Sequence, residues 1–290
     1  MVKVKGIVLY SLLPLRCAPS EAAEQGTQLL FGETFDILRV EGRWAELRND
    51  ADGQTGWADA KMVTELTGDE EKAYIALRAA ATARVSIPMA LVMSRNSGVT
   101  IPLVAGTLLT GYREEQGAGV FEVLGVTFMI DKGMVQTEPQ KMSREALEKT
   151  LRFFLNAPYL WGGKGVLGMD CSGLTQIVMS LFGVSLLRNA SEQVTQGRLI
   201  AGEEKGTPLK RALSKTLMNR AKTGDLAFFD HGDGKITHVG ILLDKDTIVH
   251  CSGRVKVEKL SPKGIISSET NLLYKQGEIT HTLHSIRRFA

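Results

Sequence analysis

The stretch "GMDCSGLTQIVMSLFG", residues 168–183, reads as a helix whose single cysteine, Cys171, stands in the first turn behind an aspartate. Leu174, Ile177, Val178, Leu181 and Phe182 recur at spacings of three and four, which predicts one buried apolar face. Asp170 is a good N-cap, so Cys171 falls among the unpaired N–H groups of the first turn. There the helix dipole favours a negative charge, and a thiol with a free pKa of about 8.5 can fall to roughly 3.5–7.5. Cys171 also lies near the apolar face, so burial as a core residue explains it as well. The helix alone leaves nucleophile and core residue open. Ser172 and Gly173 leave room for a ligand beside it.

A nucleophilic thiol needs a base, most often a histidine. The chain has five histidines. His231 sits in the turn "DHGDGK", and His281 and His284 lie in the tail, so all three read as solvated. His238 and His250 differ. Each lies inside an apolar strand pattern, "THVGILL" and "TIVHCSG", and the turn "DKDT" between them predicts a hairpin that sets them side by side. His238 then takes the thiol proton, and His250 orients it as a third group does in catalytic triads. The oxyanion needs donors. The Cys171 N–H is one, and the Tyr159 hydroxyl from "NAPYLWGG" is another.

Composition sets the frame. The chain has 290 residues, 43% apolar and 23% charged, with a formal net charge of +3. Lys and Arg are spread along it, which gives no nucleic-acid footprint. Cysteines at 17, 171 and 251 form neither a disulfide framework nor a CxxC zinc pattern. Cys251 should face away from His250 as a small buried residue, and Cys17 is read likewise. No apolar run reaches the roughly 18 residues of a membrane span. "MVKVKGIVLYSLLPLRC" is not read as a leader: its apolar run is short, Pro14 interrupts it, and Arg16 stands where a small residue should precede the cysteine.

Residues 1–66 read as short strands split by turn formers, hence a small barrel or sandwich, with Trp44 and Trp57 filling its core or rim. "GETFDILRV" alternates only imperfectly. Residues 67–81 suit a helix or linker. Residues 82–140 form a second β block of similar texture, read as a diverged repeat. From 141, Ser143 is an N-cap candidate for a helix carrying Leu147, Leu151 and Phe154. Helices followed by antiparallel-type strands indicate an α+β domain over 141–290.

Across this last part, "NAPYLWGG", "GMDCSGL", "RNASEQ", "TGDLAFFD", "ITHVGILL" and "IVHCSG" follow in an order and spacing that resembles the NlpC/P60 cysteine peptidases. "LRCAPSEAAEQGTQLLFGETFDIL" resembles a bacterial SH3 domain. The resemblance implies two SH3b barrels followed by a papain-like α+β domain. It implies Cys171, His238 and His250 as the triad, Tyr159 at the oxyanion, and Asp170 and Ser172 as substrate contacts. The arrangement is similar to envelope γ-D-glutamyl-L-diamino acid endopeptidases. These cut peptidoglycan stem peptides at the γ-D-Glu–diaminopimelate bond and favour a free N-terminal L-Ala. Glu33 matches their amine-binding acid, whereas Gln54 and Thr55 stand where a tyrosine often accompanies it. Ser191 is a further contact. The resemblance implies no cofactor, no metal, a monomer, and a place in the cell envelope. The rival readings are a peptide-binding module with a spent third domain, zinc held by one Cys and two His, and another acyl transfer on the same scaffold.

Overall fold

The computed structural model describes residues 4–209 and 212–289. The chain divides into two compact units, residues 1–139 with 161–166, and residues 140–160 with 167–290.

In the first unit, among the described residues, the chain between Val4–Ile7 and Thr64–Leu66 forms a seven-stranded antiparallel sheet in which those two strands are neighbours. Its core gathers Val8, Leu13, Leu15, Leu29, Phe35, Ala45, Leu47 and Ala58. Leu12–Arg16 is one of its strands. The imperfect alternation after Gly32 has a cause. The strand Thr34–Glu41 shifts register against Trp44–Asn49 between Ile37 and Arg39, and Leu38 and Val40 face solvent. Such a bulge adds one residue and breaks the period of two. Trp44 and Trp57 are buried.

Residues Gly68–Ala79 are a helix, not a bare linker. Its Tyr74 is buried and donates its hydroxyl to the Gly32 carbonyl at 2.9 Å. The second β block, Met89–Ser94 to Val126–Ile130, forms a five-stranded sheet among the described residues. Ile7, Phe31 and Leu66 join its core with Phe121 and Phe128, whose rings stack 5.2 Å apart. The two β blocks thus share apolar burial. Residues 161–166 pack here too: Gln25 donates to the Trp161 carbonyl at 3.0 Å, and Lys164 and Asp52 form a buried ion pair at 3.4 Å.

The second unit opens with the helix Arg144–Leu151, capped by Ser143, whose hydroxyl accepts the Ala146 N–H at 3.1 Å. Leu147, Leu151 and Phe154 are buried as their spacing predicts. Its sheet is antiparallel, and the pairing of Ile279–Arg288 with both Leu226–Asp230 and Gly264–Ile266 closes a ring through His238–Asp244, Thr247–Ser252 and Arg254–Ser261. Phe229, Leu242, Ile248, Leu260, Ile265 and Leu283 fill one apolar cluster in this ring. The helix Cys171–Leu181 packs on the strands His238–Asp244 and Thr247–Ser252. The expectation of a single buried face is corrected: of the helix's residues, all but Ser180 are buried. A helix enclosed on every side must satisfy its polar groups internally. The Gln176 amide therefore donates to the Leu186 carbonyl at 2.9 Å, and the Thr175 hydroxyl lies 2.8 Å from Gln193 Oε1.

Candidate active site

The site starts from the cap of the Cys171 helix. Asp170 Oδ1 accepts the Gly173 N–H at 2.7 Å, as an N-cap aspartate should. The same carboxylate holds buried Arg188, at 2.6 Å from Nη2 to Oδ2 and 3.1 Å from Nη1 to Oδ1, while Nη1 also donates to Ser172 Oγ at 2.8 Å. A two-pronged guanidinium fixes a carboxylate in position and orientation. The turn that carries the thiol is therefore pinned from both flanking residues. The Cys171 sulfur accepts the backbone N–H groups of Ser172 and of Val239, the residue after His238. That second bond sets the thiol against the start of the His238 strand.

His238 and His250 do face each other, His238 Nε2 to His250 Nδ1 at 2.8 Å. They are not directly opposed: the residue across from His250 is Gly240, so His238 is its diagonal neighbour on the same face. Behind His250 stands Glu258, whose Oε2 lies 2.8 Å from His250 Nε2. Glu258 Oε1 accepts the Ser268 N–H and hydroxyl at 2.9 Å each, with Lys256 Nζ at 3.3 Å. His281 stacks on His238, ring centres 4.1 Å apart. The ring nitrogens of His238, His250 and His281 gather within 4.8 Å of one another, which is the grouping among the described residues that comes nearest a metal site. The 2.8 Å contact between His238 and His250 is a hydrogen bond. His238, His250 and Glu258 form a hydrogen-bonded relay, with His281 stacked against it.

The electrostatics correct one expectation. Burial, and after it the charge of Asp170, pushes the Cys171 thiol up to about 12. The N–H groups of Val239 and Ser172 and the charge of Arg188 pull the other way and lose. Burial likewise holds the His238 imidazole well below 6.5, with His281 and His250 adding to it. The helix dipole does not make a resting thiolate here: desolvation outweighs it, and thiol and imidazole both rest neutral. Burial brings His281 down to about 4. Glu258 is the exception. Burial alone would raise it, but the bonds from His250 and Ser268 hold it at about 2, so it is a carboxylate.

Tyr159 is half-buried, its N–H bonded to the Gly253 carbonyl at 2.9 Å. Burial, then the charges of Cys171 and Asp170, raises its phenol, so the hydroxyl keeps its proton. Cys251 is buried and donates its thiol to the Met169 carbonyl at 3.2 Å. Cys17 is exposed, not buried. His231 is exposed as expected. The solvated reading of the two tail histidines fails. His281 packs in the relay, and His284 is fully buried, with Nε2 2.9 Å from the Thr207 carbonyl. The tail is not a fringe but the strand Ile279–Arg288 inside the sheet. Ser191 is half-buried in the short helix Ala190–Gln193. Glu33 belongs to the first unit, is buried, and accepts the Leu30 N–H at 3.0 Å.

Sequence reasoning missed Arg188, Glu258 and His281. Arg188 stood in plain view as the first residue of "RNASEQ". For Glu258 a signal existed. The tight turn at Gly253 pairs Ser252 with Arg254, and counting back sets Lys256 opposite His250 and Glu258 opposite Ile248. Residues 250 and 258 then share a face.

Comparison with known proteins agrees with this architecture. The NlpC/P60 family matches residues 156–273, and the bacterial dipeptidyl-peptidase Sh3 domain matches residues 15–63. A γ-D-glutamyl-L-lysine dipeptidyl-peptidase of Bacillus subtilis (strain 168) is 31% identical over 234 residues, covering 77% of this chain and 71% of its own. A Bacillus cereus protein of the same name is 25% identical over 245 residues, covering 77% of this chain and 66% of its own. The crystal structure of an NlpC/P60 family protein from Bacillus cereus ATCC 10987 shares the fold, with a TM-score of 0.75 at 19% identity over 98% of this chain and 99% of that one. An antiparallel sheet bearing two linked imidazoles, set against a helix that begins with a thiol, is the frame of a cysteine hydrolase. The chain belongs to the NlpC/P60 family of cysteine peptidases and carries a bacterial SH3 domain ahead of the peptidase domain.

Proposed function

We propose that this chain hydrolyses the bond between γ-D-glutamate and the diamino acid, diaminopimelate, in peptidoglycan stem peptides that begin with a free L-Ala. Cys171 is the nucleophile, His238 the general base, His250 the residue that orients it, and Tyr159 a donor to the oxyanion. In the first step the thiol proton passes to His238 as sulfur bonds to the γ-carbonyl carbon. The carbonyl electron pair moves onto oxygen, which the Tyr159 hydroxyl and the Cys171 N–H receive. As the tetrahedral adduct collapses, the diamino acid leaves as an amine with the proton from His238. Water, deprotonated by His238, then opens the thioester, and the thiol recovers its proton.

One observation carries this reading: the Cys171 sulfur accepts the Val239 N–H beside His238, and His238 continues at 2.8 Å to His250. The substrate class is supported by the Bacillus subtilis relative, whose name specifies γ-D-glutamyl-L-lysine, and by the matching Sh3 domain. Asp170 and Ser172 are the substrate contacts nearest the thiol, held in place by Arg188. Ser191 and Glu33 are further contacts, Glu33 for the L-Ala amine. In fold terms we take the two β blocks of the first unit as two SH3b barrels, over 1–66 and 82–140 with 67–81 between them, and 141–290 as a papain-like domain. No helix among the described residues is long and apolar enough to cross a membrane. We place the protein in the cell envelope, acting as a monomer.

The test is mass spectrometry of products from L-Ala-γ-D-Glu-diaminopimelate, its L-lysine counterpart, and the N-acetylated form of each. The proposal expects release of L-Ala-γ-D-Glu, faster from diaminopimelate, and slow or no release once the amine is blocked. Cleavage at another bond refutes the specificity, and equal rates with a blocked amine refute the role of Glu33.

A further inference from the structure

We propose that Glu258 is the positioning residue that sets the proton pattern of the whole relay, leaving His238 Nδ1 as the lone pair that receives the Cys171 proton. The inference rests on the triad reading above and adds a fourth member to it. A carboxylate only accepts hydrogen bonds. At 2.8 Å from Glu258 Oε2, His250 Nε2 must therefore carry a proton and donate it. Burial keeps His250 neutral, so its other nitrogen, Nδ1, has a lone pair and accepts. The partner of Nδ1, at 2.8 Å, is His238 Nε2, which must then be the protonated nitrogen of His238. Nδ1 of His238 is left with the lone pair. One carboxylate thus chooses the tautomer of two rings in series.

The geometry around Glu258 makes this choice firm. Its second oxygen, Oε1, meets donors only: the Ser268 N–H at 2.9 Å, the Ser268 hydroxyl at 2.9 Å and the Lys256 ammonium at 3.3 Å. The residue is buried and its strand pairs directly with the His250 strand. Besides Glu258, the charged or titratable groups that act on the two rings are Lys256 on the Glu258 strand and His281 on the last strand. Neither Lys256 nor His281 lies between Glu258 and His250.

These donors make Glu258→Gln a sharp test. Its amide oxygen must take the Oε1 place, because an NH2 there would face three donors. The NH2 then faces His250 Nε2 and forces that nitrogen to accept. His250 Nδ1 becomes the donor, His238 Nε2 the acceptor, and the His238 proton moves to Nδ1, where the base should be. Volume and packing hardly change. The experiment is nitrogen NMR of [15N]histidine-labelled protein, with signals assigned by His238→Gln and His250→Gln, together with steady-state kinetics on the tripeptide. Wild-type protein should show the Nε2–H form at both His238 and His250. Glu258→Gln should show the Nδ1–H form at both, with kcat down about 10²- to 10⁴-fold and KM within about threefold. A wild-type His238 carrying its proton on Nδ1 overturns the proposal, and needs no variant to fold. So does a variant that loses activity with the wild-type tautomers, which marks a merely structural role, or one that keeps kcat within threefold. The tautomer measurement uses no substrate, so failure of the substrate assignment does not affect it.

Discussion

Arg188 shows how a buried charge is spent at this site. Its guanidinium is 1% exposed and meets both oxygens of Asp170 and the Ser172 hydroxyl, all in the turn that presents the thiol. Removing one partner of such a pair leaves the other charged and buried. Arg188→Leu should therefore cost about 3–5 kcal/mol in urea unfolding. A loss under 1 kcal/mol would mean that the pair is solvated in solution. The pH dependence of turnover follows from the burial of His238. His238 acts as a base only when neutral, and burial lowers its pKa well below 6.5. The acid limb of kcat/KM should accordingly lie below pH 6.5. A limb at or above that pH would show that the imidazole is solvated, or that a thiolate–imidazolium pair is the resting form. Cys171, Asp170, His238 and His250 were legible because each carries a local signature: a cap, a first turn, a polar residue in an apolar strand. Arg188 and Glu258 were not seen, because their meaning lies in partners 18 and 8 positions away.

Among the elements, the His238 strand is the most constrained. Gly240 lies across from His250, and a Cβ there would sit 2.9 Å from the His250 Cβ and 2.7 Å from Ile248 Cδ1. The glycine makes room for the imidazole that must reach His238. Gly240→Ala should cost about 1–3 kcal/mol by overpacking, and should lower kcat more than it raises KM, because the relay is displaced. Full activity with unchanged stability would show that the hairpin yields freely. Simple alternation would misplace the strand Arg254–Ser261. In "RVKVEKL" the valines suggest the inward face, yet Val257 is exposed and Glu258 buried. The strand belongs to the ring, and its inward face carries the relay's carboxylate beside the apolar Leu260. In the strand Thr34–Glu41 the cause is different, a bulge after Ile37. The Cys171 helix was read correctly as a helix, but amphipathic patterning could not show that neighbours cover its polar side as well.

For the whole molecule, the second unit concentrates neutral imidazoles inside. The folded pKa of His281 is lowered from 6.5 to about 4, and those of His238 and His250 are lowered too. Below pH 6.5 the unfolded chain binds protons that the folded chain refuses, so stability is full above that pH and falls as the pH drops. His281 alone contributes about 3 kcal/mol across the window from 6.5 to 4. Glu258, lowered from 4.5 to about 2, adds its loss only below pH 4.5. Urea unfolding followed by far-UV circular dichroism at pH 7 and pH 5 should show the decline, and a flat profile would mean that these rings are wet. At this scale the sequence announced the order of β blocks and the peptidase domain through motifs. It gave no sign that residues 161–166, bracketed by the motifs of the second unit, pack into the first. Nor did it show that the tail runs inside the sheet, since both follow from long-range pairing. Turnover depends first on the sulfur at the head of the buried helix. Turnover of L-Ala-γ-D-Glu-diaminopimelate by Cys171→Ala, beside its melting curve, tests that directly. A rate at least about 10⁴-fold below wild type with an unchanged melt is the predicted result, and a folded variant within tenfold of wild type would contradict it.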